Sequence, residues 1–175
     1  MPPTALTVAA SQYGIGADYV IEGLTTVTGT VPPTVDLAER TEDGFGQGKV
    51  LVTPFGMALT AATVAAGKTP TPHLIAGSRT VETGAHPPAD PAILDGLRSM
   101  MRLVVTNGTA KEIDGLGEVY GKTGEAEFQG GSHAWFTGYR GDLAFAALIV
   151  GGGSSSYAVR MVRSMLEELP DAFLA

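Results

Sequence analysis

Cysteine is absent from the 175-residue chain. Disulfides and thiolate metal sites are therefore excluded, and the redox compartment is not readable from composition. Positive charge is scarce: 11 Lys and Arg stand against 18 Asp and Glu, a formal net charge of −7. No basic face is available to neutralise phosphates, which argues against a nucleic-acid partner. No Lys/Arg cluster marks a surface for anionic lipid either. The opening Met1-Pro2-Pro3-Thr4 begins neither a signal peptide nor a membrane-spanning run, so taken literally the residues point to the cytoplasm.

Two nucleotide-binding signatures also fail. In the glycine-rich stretch from Asp43 to Lys49, Asp43 holds the place of the first glycine of a Walker loop and Val50 follows Lys49. For a dinucleotide fingerprint, Lys49 stands where the third glycine belongs. A tight turn feeding the next helix is the better reading. His73, His86 and His133 are scattered, with no carboxylates at ligand spacing, so no metal site and no cofactor is expected.

What is present reads as helices first and strands afterwards. A short helix is expected from Thr4 to Gln12, ended by Gly14 and Gly16. Asp18 to Glu42 reads as irregular, with one more helical turn at Asp18 to Leu24. Thr53 is a good N-cap, Pro54 fits the first helical position and Gly67 closes the end. That helix is apolar almost all round and should be buried and central. After a proline-bearing surface connection with a short strand at His73 to Ala76, a second helix starts at Asp90-Pro91 and stops at Asn107-Gly108. Its apolar stripe comprises Ile93, Leu94, Leu97, Met100, Met101, Val104 and Val105.

Three strands with short turns follow: the one around Lys122, His133 to Tyr139, and the continuously apolar Leu143 to Val150. Short turns imply an antiparallel meander. Ser154 to Ser156 cap a last helix, whose stripe (Tyr157, Ala158, Met161, Val162, Met165, Leu166, Leu169) should lie on the sheet. Trp135 and Phe136 read as packing residues, and His133 as structural. The class is α+β, in one domain over residues 1–175.

The chemistry concentrates in Val119-Tyr120-Gly121-Lys122-Thr123-Gly124-Glu125-Ala126-Glu127. Alternation along a strand sends Lys122 to one face and Thr123 and Glu125 to the other. Gly124 lets a ligand come close to the backbone. Together with Gly131-Ser132-His133-Ala134-Trp135-Phe136-Thr137-Gly138-Tyr139, Gly46-Gln47-Gly48 and Thr53-Pro54, the Lys-Thr-Gly triplet resembles the C-terminal half of a class B penicillin-binding protein transpeptidase.

The resemblance implies a β-lactamase/transpeptidase-like fold, whose sheet has five strands where this chain supplies three. It implies that Lys122 gives a positive field near the nucleophile. Thr123, with Gly124 beside it, would meet the terminal carboxylate of a peptidoglycan stem peptide or a β-lactam. The Glu125 backbone N–H would form half of an oxyanion hole. It further implies an extracytoplasmic protein, membrane-anchored through another part. The family usually has Thr or Ser at the position of Glu125; an acid there should repel an anionic ligand unless turned away or paired.

The nucleophile is missing. None of the eight serines begins S-x-x-K, and no S-x-N occurs. The resemblance therefore points to the substrate-holding half of a D,D-transpeptidase, inert without an N-terminal part of the same protein. The alternative is an independent non-catalytic binding or scaffold module. A β-lactamase-type hydrolase lacks the same serine. Leu143 to Val150 should also lack one strand neighbour, leaving an apolar edge that recruits the N-terminal part or a second copy.

Overall fold

The computed structural model of the chain describes residues 2–83, 87–170 and 173. His86 lies outside them. Two compact units are formed, Met1–Ala89 and Asp90–Ala175.

The first unit contains α1 (Ala5–Ser11), β1 (Asp18–Ile21), β2 (Leu24–Thr25), β3 (Gly29–Thr30), α2 (Leu37–Gly44), β4 (Leu51–Val52), α3 (Pro54–Ala66) and β5 (Thr80–Thr83). α3 has the ends expected of it: Thr53 Oγ1 accepts from Gly56 N–H at 3.1 Å, and Gly67 closes the helix in the left-handed region at φ 79°. Within α3 only Pro54 and Ala66 are exposed. Its approach to Thr28 leaves no room at Gly56, where a Cβ would lie 1.9 Å from the Thr28 carbonyl oxygen. Leu59 and Phe55 pack with Ala17, Tyr19 and Ile21.

Three expectations for this unit are corrected. The helical turn at Asp18 to Leu24 is instead the hairpin β1–β2, with Ile21 opposite Leu24 and Glu22-Gly23 as its turn. Buried Tyr19 and Ile21 alternate with exposed Asp18 and Val20, a period of two that a helix does not have. The strand expected at His73 to Ala76 is absent; a turn there is closed by Ser78 N–H on Ile75 O, and β5 pairs with β1 instead. Within the stretch read as irregular, α2 forms because Asp36 accepts from Glu39 N–H at 2.8 Å, an N-cap that needs no apolar stripe. The glycine-rich turn after α2 folds around Asp43, whose Oδ1 accepts from Lys49 N–H at 2.8 Å. These short strands add two small antiparallel sheets, β2-β1-β5 and β3-β4, to the expected meander.

The second unit runs α4 (Pro91–Thr106), a 3₁₀ helix (Lys111–Leu116), β6 (Tyr120–Phe128), β7 (Gly131–Arg140), β8 (Leu143–Ile149) and α5 (Ser155–Glu168). The sheet order is β6-β7-β8, antiparallel throughout, with Thr123 opposite Phe136 and Phe136 opposite Ala147. One face carries buried Ala134, Phe136, Phe145 and Ala147, which cluster with Ala158, Val159, Val162 and Leu166 of α5. Val105 of α4, Ile113 and Val119 close the same core. Each large apolar side chain buried this way contributes roughly 1.5–3 kcal/mol.

Both helical stripes are narrower than the sequence suggests. Leu94, Met101 and Val105 of α4 are buried, while Ile93 and Met100 are exposed. On α5, Tyr157, Met161 and Met165 remain exposed beside the packed residues. Among the described residues β8 has no strand neighbour except β7.

Candidate functional site

β6 enters the sheet from a fixed point. Arg102 on α4 donates to Val119 O at 3.0 Å and to Asp114 Oδ1 at 3.1 Å, holding the residue before the strand against the helix. Gly121 lies opposite Gly138, and neither has space for a side chain. A Cβ on Gly121 would come 2.6 Å from the Phe136 ring, and one on Gly138 would come 2.1 Å from Tyr120 O. This pair brings β6 and β7 close at the position just before Lys122.

The next four residues alternate as a strand requires. Lys122 is exposed, and its Nζ reaches back to the Thr123 carbonyl at 2.6 Å. Thr123 is buried on the α5 face, 2.6 Å from the hydroxyl of Thr109, which lies just past the end of α4. Either hydroxyl can donate in this pair. Gly124 differs from Gly121: a Cβ there would meet only the Trp135 Cβ at 3.4 Å, an ordinary contact. Packing inside the chain therefore does not require a glycine at this position.

Glu125 resolves the conflict its charge raises. Its Oε1 accepts from Ser155 N–H at 2.9 Å and from the Ser155 hydroxyl at 3.1 Å. The carboxylate thus sits at the start of α5, where the helix dipole favours an anion. It is paired rather than left to face a ligand.

On the opposite face, Tyr120 and Tyr139 stack with ring centroids 4.7 Å apart. Burial, then the neighbouring Tyr120, pushes the Tyr139 hydroxyl up to about 12, against the opposing pull of Arg98. His133 packs on Phe128 at 4.6 Å, and its Nδ1 accepts from Gly151 N–H at 3.0 Å. Phe136 is fully buried, whereas Trp135 is partly exposed. Among the described residues, no group of three or more His, Asp or Glu is arranged to hold a metal. No helix there is long and apolar enough to cross a membrane.

Lys122, Thr123, Gly124 and Glu125 thus occupy one continuous run of β6. Two partners were not foreseen from sequence, Thr109 and Ser155. Thr109 follows a helix stop and carries no local signal; only the register of β6 reveals that it faces Thr123. Sequence marks Ser155 only as part of a cap, and its link to Glu125 depends on where α5 begins relative to the sheet.

The family model of the penicillin-binding protein transpeptidase domain matches residues 1–167. No curated protein matches significantly. Among solved structures, Pseudomonas aeruginosa PBP2 in complex with WCK 5153 is similar at 25% identity and a TM-score of 0.75, covering 95% of this chain and 43% of that one. Helicobacter pylori PBP2 gives 22% identity and a TM-score of 0.74, covering 95% and 35%. The D,D-transpeptidase domain of a peptidoglycan glycosyltransferase from Eggerthella lenta gives 18% identity and a TM-score of 0.62, covering 95% and 49%. The chain therefore spans less than half the length of each of these structures. Its α+β architecture is the β-lactamase/transpeptidase-like fold that they share. With the family match running through nearly the whole sequence, the chain belongs to the penicillin-binding protein transpeptidase domain family.

Proposed function

We propose that residues 1–175 form the C-terminal, substrate-holding part of a peptidoglycan D,D-transpeptidase domain. An N-terminal part of the same protein would supply S-x-x-K and S-x-N. In the complete enzyme the serine oxygen would attack the penultimate D-Ala carbonyl of a stem peptide, and the terminal D-Ala would leave with a proton. A β-lactam would enter the same acylation. The protein would work outside the cytoplasmic membrane, anchored through another segment.

The observation that carries this reading is β6 itself. It places Lys122 and Thr123 next to a glycine that internal packing does not require. In an antiparallel strand, residues two apart direct their N–H and C=O groups to the same edge. The Glu125 N–H therefore shares the edge on which Lys122 Nζ meets the Thr123 carbonyl. A ligand lying there would find a cation, a backbone donor and room at Gly124. Thr123 would have to loosen its bond to Thr109 to offer its hydroxyl to a carboxylate. The single strand neighbour of β8 among the described residues and the exposed Tyr157, Met161 and Met165 on α5 support a place for the N-terminal part.

Labelling with a fluorescent penicillin tests the proposal. The isolated chain should form no covalent adduct, because it lacks the serine, while the complete protein should label. A stable label on the 175-residue chain alone would overturn the assignment. A complete protein that stays unlabelled would favour the independent binding module.

A further inference from the structure

Resting on the reading of β6 as the substrate-holding strand, we propose that Glu125 is a positioning residue. Its carboxylate fastens the outer part of β6 to the start of α5. It thereby holds the Glu125 N–H where the oxyanion of the acylation step would develop.

Both ends of this link are defined. One oxygen, Oε1, accepts from Ser155 N–H at 2.9 Å and from Ser155 Oγ at 3.1 Å. The start of α5 is a fixed post. The Ser132 hydroxyl of β7 donates to Gly153 O at 2.8 Å, and the Ser132 carbonyl accepts from Gly153 N–H at 3.0 Å. The loop also lies so close to β7 that a Cβ on Gly152 would come 2.9 Å from the Ala134 Cβ.

Further along, β6 is held by its pairing with β7 and by Phe128 on His133. Beyond Glu125 its residues Ala126 to Phe128 are partly or fully exposed. The Glu125 side chain therefore ties the strand to a rigid element at the last position before it runs out into the hairpin. Peptide orientation and side-chain direction are coupled in a strand. Anchoring the side chain on the α5 face thus fixes where its N–H points. An oxyanion donor acts through preorganisation, so an error of a fraction of an ångström is felt in the rate.

The same geometry explains how an acid is tolerated beside an anionic ligand. Its charge is partly offset by the helix N-terminus and drawn to the α5 face.

The test uses the complete transpeptidase carrying this sequence and a chromogenic cephalosporin. Pre-steady-state acylation separates the dissociation constant of the non-covalent complex from the acylation rate constant, with active sites titrated for each variant. Glu125→Ala should lower the acylation rate constant per active site about tenfold while leaving the dissociation constant within about twofold. Glu125→Gln keeps an acceptor and should recover most of the rate. Ser155→Pro removes both donors without touching Glu125. Proline suits the first helical position, and Ser154 already has the extended conformation a following proline requires, at φ −127° and ψ 133°. It should reproduce Glu125→Ala.

A merely structural role would lower the thermal midpoint or the titratable fraction and leave the rate per site unchanged, which overturns the proposal. So does a slow Glu125→Ala beside a Ser155→Pro at wild-type speed. Lys122→Ala is the control for the underlying reading. If it acylates normally, or the unaltered protein is not acylated, the assignment of β6 fails and the positioning role with it.

Discussion

Gly121 and Gly124 lie three residues apart on one strand, and the same substitution should have opposite consequences at the two sites. Alanine at Gly121 places a methyl group 2.6 Å from Cε2 and Cζ of Phe136 and 3.0 Å from Thr137 O. That is roughly an ångström inside an ordinary carbon–carbon separation. Phe136 is fully buried between the sheet and α5, so its ring has nowhere to turn. Either β6 moves away from β7 or the core around Val159 and Val162 opens. Overpacking of this kind costs about 1–3 kcal/mol. For a chain of this length each kcal/mol lowers the thermal midpoint by about 2–4 °C. At Gly124 the added methyl meets only the Trp135 Cβ at 3.4 Å. Reduced freedom of the unfolded chain should then leave stability unchanged or raise it by about 0.4–1 kcal/mol. Thermal unfolding followed by circular dichroism measures both variants. In the complete enzyme Gly124→Ala should nonetheless slow acylation, since the methyl occupies space proposed for the ligand. Equal destabilisation at the two positions would refute the packing distinction. A stable and fully active Gly124→Ala would refute the functional use of that space.

Thr109→Val should destabilise the second unit by about 0.5–1.5 kcal/mol through loss of the hydroxyl pair with Thr123; urea unfolding against the unaltered chain checks it. The Tyr139 hydroxyl, held near 12 against an ordinary value of 10, stays neutral in the folded protein at pH values where the unfolded chain ionises. Its contribution is therefore complete below about pH 10 and lost as pH rises towards 12. Denaturant midpoints across this range should fall, and less steeply for Tyr139→Phe. Finally, the isolated chain should elute as a complex with the separately expressed N-terminal part, or self-associate through β8. Size-exclusion chromatography with mass spectrometry showing a soluble monomer that takes up no N-terminal part would contradict this.

Elements whose ends are encoded within one turn were legible in sequence. Thr53, Pro54 and Gly67 delimit α3, and Asp90, Pro91 and Asn107 delimit α4, because capping involves residues two to four positions apart. The three strands of the meander and the position of Lys-Thr-Gly on the first of them were legible for a similar reason. Short polar turns separate apolar runs there. The absence of S-x-x-K is likewise a property of sequence alone.

Tertiary structure decided which half of each helical stripe packs. α5 buries Ala158, Val159, Val162 and Leu166 but leaves Met161 exposed, although periodicity placed Met161 on the packed face. Rotation of the helix on the sheet selects among apolar residues that hydrophobicity alone does not distinguish. The partners of the candidate site were decided in the same way. Thr109 and Thr123 are 14 residues apart, and Glu125 and Ser155 are 30 apart. No local rule joins such residues. Their meeting depends on strand register and on the point where α5 begins, both set by packing of the whole core. Sequence therefore showed that Glu125 carries a charge requiring compensation, and only the assembled sheet and helix supplied Ser155 to provide it.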